Sequence, residues 1–520
     1  MTREQTQEIL QENDNLDEGE ESHAMLQEVA YRRGLGLLFP LFSLPGPYGI
    51  GSMGEAAYRF CDFLRQAGFR YWQLLPLGPT GYGDSPYSSF SSAAGNPYFI
   101  DLPLLVEQGL LTREEVDWAR WTQDDRKVPY GDLSQHRLPL LRKAFSRFLP
   151  RDHGRLQAFC RTRGPWLKEY ACYMAIKEDQ EGRAWAQWPA PLRDHDPDAL
   201  RDFEARHSEN VLFMVFLQYQ FFRQWEALSA YAHERGISII GDLPIYVAYD
   251  SADCWANQED FLFDETRAPL RVAGAPPDQF TEEGQRWGNP LYRWDRMKEQ
   301  GYSFWKWRIS SALALYDILR LDHFIGFAHY WSVDAGEATA KHGHWVPGPG
   351  LALFQELEKA LGPLPILVED LGALSNEVIR LRQRTGFPGM KPLQFAFGGD
   401  RDSAYLPHNY AHRTAVYTST HDTQTLRSWW EGLDDSTRDH VCHYFRLREE
   451  DLPGSFLQAA CASVADLCIY SLQDLLWIGE EGRINRPGSL GGNWVWRMRE
   501  EDWEHIDPRK IQALAALYGR

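Results

Sequence analysis

No apolar run in this chain approaches the roughly 18 residues that a membrane-spanning helix needs, and no signal peptide is visible at its start. Only seven cysteines occur among 520 residues (Cys61, Cys160, Cys172, Cys254, Cys442, Cys461 and Cys468). An odd number without C-x-x-C spacing excludes a disulfide framework and a Cys-based zinc site, and reads as buried thiols of a reducing compartment. The chain is therefore expected in the cytoplasm. Clustered basic residues are missing too: the net charge is −19, which argues against nucleic-acid and anionic-membrane surfaces and against a strongly anionic substrate. There is no G-x-S-x-G, no P-loop and no acidic calcium loop. Gly49-Ile50-Gly51-Ser52-Met53-Gly54 does match G-x-G-x-x-G, but Pro45-Gly46-Pro47-Tyr48 separates it from the preceding strand. A dinucleotide site is set aside on that ground. His342-Gly343-His344 with His323 and His329 fits no tetrahedral metal spacing. Neither cofactor nor metal is expected.

Aromatic residues, by contrast, are abundant at 14%, with 20 Trp and 24 Tyr. Most belong to a large core, yet such numbers also suit a cleft that lays flat faces on neutral sugar rings. Eight short apolar runs, at 35–38, 71–77, 237–245, 318–324, 366–371, 393–397, 415–420 and 468–472, have the near-continuous character of strands buried on both faces. Helical patterns lie between several of them. One is expected to start at a capping box, Ser52-Met53-Gly54-Glu55, and to end at Gly68; another runs from Ser375 to Gly386. The fold class that follows is α/β, a (β/α)8 barrel with inserted subdomains and no C-terminal β-sandwich. Residues 1–30 read as an acidic, mobile tail and 31–102 as the first part of the barrel. A mainly helical insertion is expected at 103–230, a barrel strand at 231–248, a second insertion over the cleft at 249–312, and the remaining barrel at 313–520.

Catalytic groups of such a barrel sit at the C-terminal ends of its strands. Four candidate strands end in acids: Asp242, Asp322, the pair Glu369-Asp370, and His421-Asp422. Glycosidic bond cleavage needs such a set, one carboxylate as nucleophile or base and one carboxylic acid to protonate the leaving oxygen. Arg320 and Asp322 are two apart and project to one side of their strand, so the guanidinium is expected to favour the ionised carboxylate. The residues themselves do not choose between Glu369 and Asp370, because neighbours in a strand point oppositely.

Six stretches in order then carry a specific resemblance. They are Pro76-Leu77-Gly78-Pro79-Thr80-Gly81-Tyr82-Gly83-Asp84-Ser85-Pro86-Tyr87, Gly241-Asp242-Leu243-Pro244-Ile245, Gly284-Gln285-Arg286-Trp287-Gly288-Asn289-Pro290, Arg320-Leu321-Asp322-His323-Phe324, Glu369-Asp370-Leu371-Gly372 and Thr420-His421-Asp422. Together they resemble the amylomaltases, 4-α-glucanotransferases of the α-amylase superfamily, over roughly residues 34–500. The resemblance implies Asp322 as nucleophile, Glu369 as general acid/base and Asp422 as the third carboxylate supporting a distorted transition state. It also implies substrate contacts at Tyr82, Ser85, Tyr87, Asp242, Trp287, Arg320, His323, His421 and Asn485. The implied partners are α-1,4-glucans and maltooligosaccharides, with glucose as an acceptor. A hydrolase using the same carboxylates is the alternative, and a non-catalytic glucan-binding protein a further one. Val272-Ala273-Gly274-Ala275-Pro276-Pro277-Asp278 resembles the family's loop over the cleft. One departure stands out: Thr423 follows His421-Asp422 where the family usually has Asn, which puts the positioning of Asp422 in question.

Overall fold

A computed structural model describes residues 25–520, apart from 28, 30, 82, 119–123, 279–280, 373, 400–401 and 490. The expectations for the acidic tail up to residue 24 and for Tyr82 lie outside the described residues. Twelve strands are found among the described residues: β1 (Gly34–Leu38), β2 (Tyr71–Gln73), β3 (Ser238–Leu243), β4 (Arg271–Ala275), β5 (Gln285–Pro290), β6 (Ile318–Leu321), β7 (His329–Asp334), β8 (His344–Pro347), β9 (Ile366–Val368), β10 (Gly389–Pro392), β11 (Thr414–Tyr417) and β12 (Leu467–Ser471). Eight of them close into a parallel barrel in the order β1-β12-β11-β10-β9-β6-β3-β2. This is the expected (β/α)8 barrel. Residues such as Leu35, Leu37, Ile239, Ile240, Leu319, Leu367 and Val416 are fully buried, which is why these strands read as continuous apolar runs.

One strand is not where the apolar pattern puts it. The run 393–397 is a 3-10 helix, and the sixth barrel strand is β10, four residues earlier. Its sequence, Gly389-Met390-Lys391-Pro392, carries a glycine, a lysine and a proline, all poor strand formers. Context overrides propensity: the Asp370 carboxylate accepts from Met390 N at 2.7 Å, and the β10–β11 register holds the strand in place. The expected capping box is also corrected. The helix Glu55–Ala67 begins at Gly54 without a side-chain cap, and the Ser52 hydroxyl donates instead to Asp101 at 2.7 Å. The second helix, Asn376–Thr385, is capped as expected, with Ser375 accepting from Val378 N and Gly386 closing it in the left-handed region.

Between β2 and β3 lie the long helices Tyr130–Arg163, Pro165–Asp179 and Ser208–Glu234. The last of these buries Phe213, Phe216, Phe221 and Trp225. A four-stranded antiparallel sheet, in the order β5-β4-β7-β8, is built from chain segments flanking β6. It corrects the expected loop at 272–278: Arg271–Ala275 is strand β4, paired on both edges, and only Pro276-Pro277-Asp278 remains irregular. Residues 472–520 after β12 form helices and turns, with no strand among the described residues. No described helix is long and apolar enough to cross a membrane.

Candidate active site

The centre of the rim is a guanidinium. Arg320 lies in β6 directly opposite Asp242 in the β3 register, and its side chain is 2% exposed. Its Nη1 donates to both Asp242 oxygens at 2.7 Å and to Asp322 Oδ1 at 3.0 Å, while Nη2 lies 3.4 Å from Glu369 Oε2. Three adjacent strands therefore deliver three carboxylates to one cation. The Arg320 pKa is held well above its usual value: burial works against the charge, but Asp242 and Asp322 outweigh it.

Which member of the acidic pair faces this centre is now visible. Glu369 follows β9, accepts from His323 N at 2.7 Å and contacts Asp322 through a hydrogen bond. Burial, then the Asp322 charge, pushes its carboxyl well above the usual carboxylate range, which favours the protonated form an acid needs. Asp370 points the other way, where Arg382 Nη1 and Met390 N hold it at 2.7 Å each. Alternation along the strand, which the sequence could not phase, separates the two.

Asp422 stands after β11, two barrel positions from β9. Its oxygens are taken by Asn485 Nδ2 at 2.6 Å and His421 Nε2 at 3.1 Å, and its side chain stays 40% exposed and open to a ligand. Desolvation by surrounding protein acts to raise its pKa, but His421, Asn485 and Arg320 bring it down to about 2. The question raised by Thr423 finds a physical answer here. Thr423 Oγ1 is spent on Thr420 N, at 2.9 Å, and the amide that grips Asp422 comes from Asn485. Arg483 Nη2 adds a bond to Asp422 O at 3.2 Å, and Asn485 N donates to His421 O at 3.0 Å. Charged hydrogen bonds of this kind are worth about 1.5–3 kcal/mol. Asn485→Ala is accordingly expected to lower kcat/KM on maltotriose by about 10- to 100-fold with little change in melting temperature.

Tyr87 ties the two halves of the rim together. Its hydroxyl donates to Asp242 Oδ2 at 2.7 Å and lies 2.7 Å from His421 Nε2, and the two rings stack at 5.3 Å. Ser85, the other described residue expected in this segment, accepts from Tyr87 N and so acts on the loop itself. The expectation of a donor-sugar contact at Asp242 meets a different geometry. Its carboxyl is 0% exposed, and both oxygens accept from Arg320, with Oδ2 accepting from Tyr87 as well. Trp287, on β5, is 39% exposed and sets its ring edge-on to His323 at 4.8 Å. His323 adopts φ 52°, the left-handed region.

Sequence reasoning missed Trp494 and Arg483. Trp494 packs its ring 5.6 Å from Tyr87 and 6.1 Å from His421, at φ 63°. Its place in Gly491-Gly492-Asn493-Trp494, close after Asn485, was the available signal. Among the described residues no cluster of His, Cys, Asp and Glu could hold a metal.

The match to a family model described as 4-alpha-glucanotransferase spans residues 39–502, which includes every one of these groups. The chain belongs to the 4-alpha-glucanotransferase family. Its relatives include the 4-alpha-glucanotransferase of Thermus thermophilus, 46% identical over 94% of this chain and 99% of that one. That of Clostridium butyricum is 44% identical over 92% and 99%. Among solved structures, an amylomaltase from Streptococcus agalactiae in complex with acarbose superposes with a TM-score of 0.91 at 38% identity, covering 94% of this chain and all of that one. Family membership favours the transferase reading over the hydrolase alternative.

Burial adds a pH dependence to this 4-alpha-glucanotransferase rim. It depresses the His323 pKa to about 4, so the folded state keeps the imidazole neutral where the unfolded chain, near 6.5, already binds a proton. The stabilising preference for the neutral ring is complete above about pH 6.5 and is lost as pH falls towards 4, by at most about 3 kcal/mol. His323→Asn, which tolerates the left-handed backbone, is expected to flatten the fall in urea midpoint between pH 7 and pH 4.5.

Proposed function

We propose that this chain transfers α-1,4-glucan segments by a retaining double displacement, with Asp322 as nucleophile, Glu369 as acid/base and Asp422 as the carboxylate that supports the transition state. The observation that carries this reading is the shared guanidinium: Arg320 places the Asp322 and Glu369 carboxyls side by side and in contact. An inverting enzyme needs its carboxyls roughly 6.5–9.5 Å apart, with a water between them. Contact favours retention.

In the first step Asp322 attacks C1 of the donor sugar while the Glu369 acid protonates the departing glycosidic oxygen. The shortened chain leaves with a free 4-hydroxyl, and a glucosyl ester remains on Asp322. Glu369 is now a carboxylate. In the second step it takes the proton of an incoming 4-hydroxyl as that oxygen attacks C1, and the Asp322 ester bond breaks. Asp422, held ionised by His421 and Asn485, is suited to bind hydroxyls of a distorted ring and to face the positive charge developing there. Donors are maltooligosaccharides or longer α-1,4-glucans, and acceptors include glucose. Such chains match both the family activity and the aromatic rings at the rim, Tyr87, Trp287 and Trp494.

Incubation with maltotriose tests the reading. Transfer gives glucose plus a ladder of longer maltooligosaccharides at a constant number of reducing ends. A steady net gain of reducing ends would overturn it in favour of hydrolysis.

A further inference from the structure

A cavity of about 650 Å³ lies away from the carboxylates. It lies where the inserted helices Pro165–Asp179 and Ser208–Glu234 meet the outer barrel helix Ser303–Leu313 and the short helix Ala252–Ala256. Its size falls within the roughly 300–1,000 Å³ of small-ligand sites. Buried Asp253, which accepts from Ser92 N at 2.7 Å, forms part of its wall, and the space bounded by Tyr87 and Asp242 has the same Asp253 in its own lining. The cavity therefore backs onto the catalytic rim without containing any of the rim carboxylates.

Its lining has a definite chemistry. Trp166 and Trp307 are half-buried aromatic surfaces, and Phe304 packs against Trp307 at 5.6 Å between ring centres. Every charged group there has a partner within the fold. Arg163 pairs with Glu226 and covers the Phe222 ring at 4.0 Å; Glu169 meets His195 at 2.8 Å; Asp260 lies 3.8 Å from Arg296. What remains is neutral. Asn257 spends its amide N–H on Asp253 O at 2.9 Å and keeps its carbonyl oxygen, and Ser303 and Ser311 bring hydroxyls. The Trp307 indole N–H is buried without an acceptor among the described residues, a state that costs about 1–3 kcal/mol until a partner arrives. Flat apolar rings combined with uncharged donors and acceptors suit a polyhydroxylated ring and disfavour an ionic ligand.

We propose that this cavity is a second, non-catalytic binding site for a short stretch of α-1,4-glucan, which holds a long substrate while another part of the chain occupies the carboxylate rim. The assignment rests on the glucan reading of the rim. Two full-length variants test it: Trp166→Ala, which removes an aromatic wall, and Ser311→Arg, which fills the cavity. Each is compared with the parent by retardation in native gels containing amylopectin and by initial rate on maltotriose. Melting temperature confirms folding, and the two variants fail to fold for different reasons if at all. Loss of the Trp166 face in one variant and of the cavity space in the other is expected to weaken amylopectin retardation about three- to tenfold, with maltotriose rates within about twofold of the parent. Unchanged retardation in both would overturn the site, as would folded variants whose maltotriose rate falls in parallel. Failure of the parent itself to disproportionate maltotriose would instead strike at the reading of the rim.

Discussion

Asp322→Asn is expected to abolish transfer from maltotriose, by at least about 10⁴-fold in kcat, while the protein folds and still binds maltooligosaccharides. The amide cannot form the glucosyl ester, and its nitrogen turns a donor towards Arg320 Nη1, which in the parent donates to Asp322 Oδ1 at 3.0 Å. The remaining rim survives this loss, because Arg320 keeps Asp242 on two bonds of 2.7 Å and Tyr87 keeps Asp242 and His421. Binding is therefore expected to outlast chemistry. Calorimetric titration with maltotetraose against stopped assays measures both. Retention of more than about one per cent of parental kcat would show that Asp322 is not the attacking group.

Glu369→Gln should separate donors by their leaving groups. With maltotriose the departing 4-oxygen needs a proton, and its loss is expected to cost about 10²–10⁴-fold. With α-maltosyl fluoride the leaving group needs none, so the first step should proceed at a rate within about tenfold of the parent. The second step then stalls with sugar acceptors, which need the missing base. The elevated pKa of Glu369, set by burial and by Asp322, gives the same residue a signature in pH profiles. Activity on maltotriose should fall as pH rises through that pKa, because the acid form disappears. The variant should lack that limb with the fluoride donor. Equal losses on both donors would count against Glu369 as the acid.

Much of this candidate site is legible in the sequence. Asp242, Asp322, Glu369 and His421-Asp422 each close an apolar run, and parallel strands buried on both faces leave such a run as their only signature. What failed was local. At β10 the barrel strand is written in Gly389, Lys391 and Pro392, while the more apolar 393–397 turns into a 3-10 helix. Pairing to β11 and a carboxylate from β9 decide the matter, and both are far away in sequence. The same distance hid the phase of Glu369 and Asp370: alternation needs a register, and the register is fixed by neighbours. Thr423 taught a related lesson. A break in a motif suggested a loosened Asp422, but the amide that grips it comes from Asn485, 63 residues on. Trp494 and Arg483 escaped because neither lies at a strand end, where the barrel rule directs the eye.

Gly241 shows how strictly the rim is packed. A Cβ built there would stand 2.1 Å from the Tyr316 ring, so the residue next to Asp242 has no room for a side chain. Substitution would displace β3 and with it the carboxylate that anchors Arg320.

The central claim is that Asp322 carries the sugar between two halves of a transfer. Loading Glu369→Gln with α-maltosyl fluoride in the absence of acceptor, followed by proteolysis and peptide mass spectrometry, tests it directly. The expected product is a peptide heavier by one maltosyl group, with the modification on Asp322. A label on Glu369, Asp422 or any other residue, or no label despite release of fluoride with inversion at C1, would contradict it.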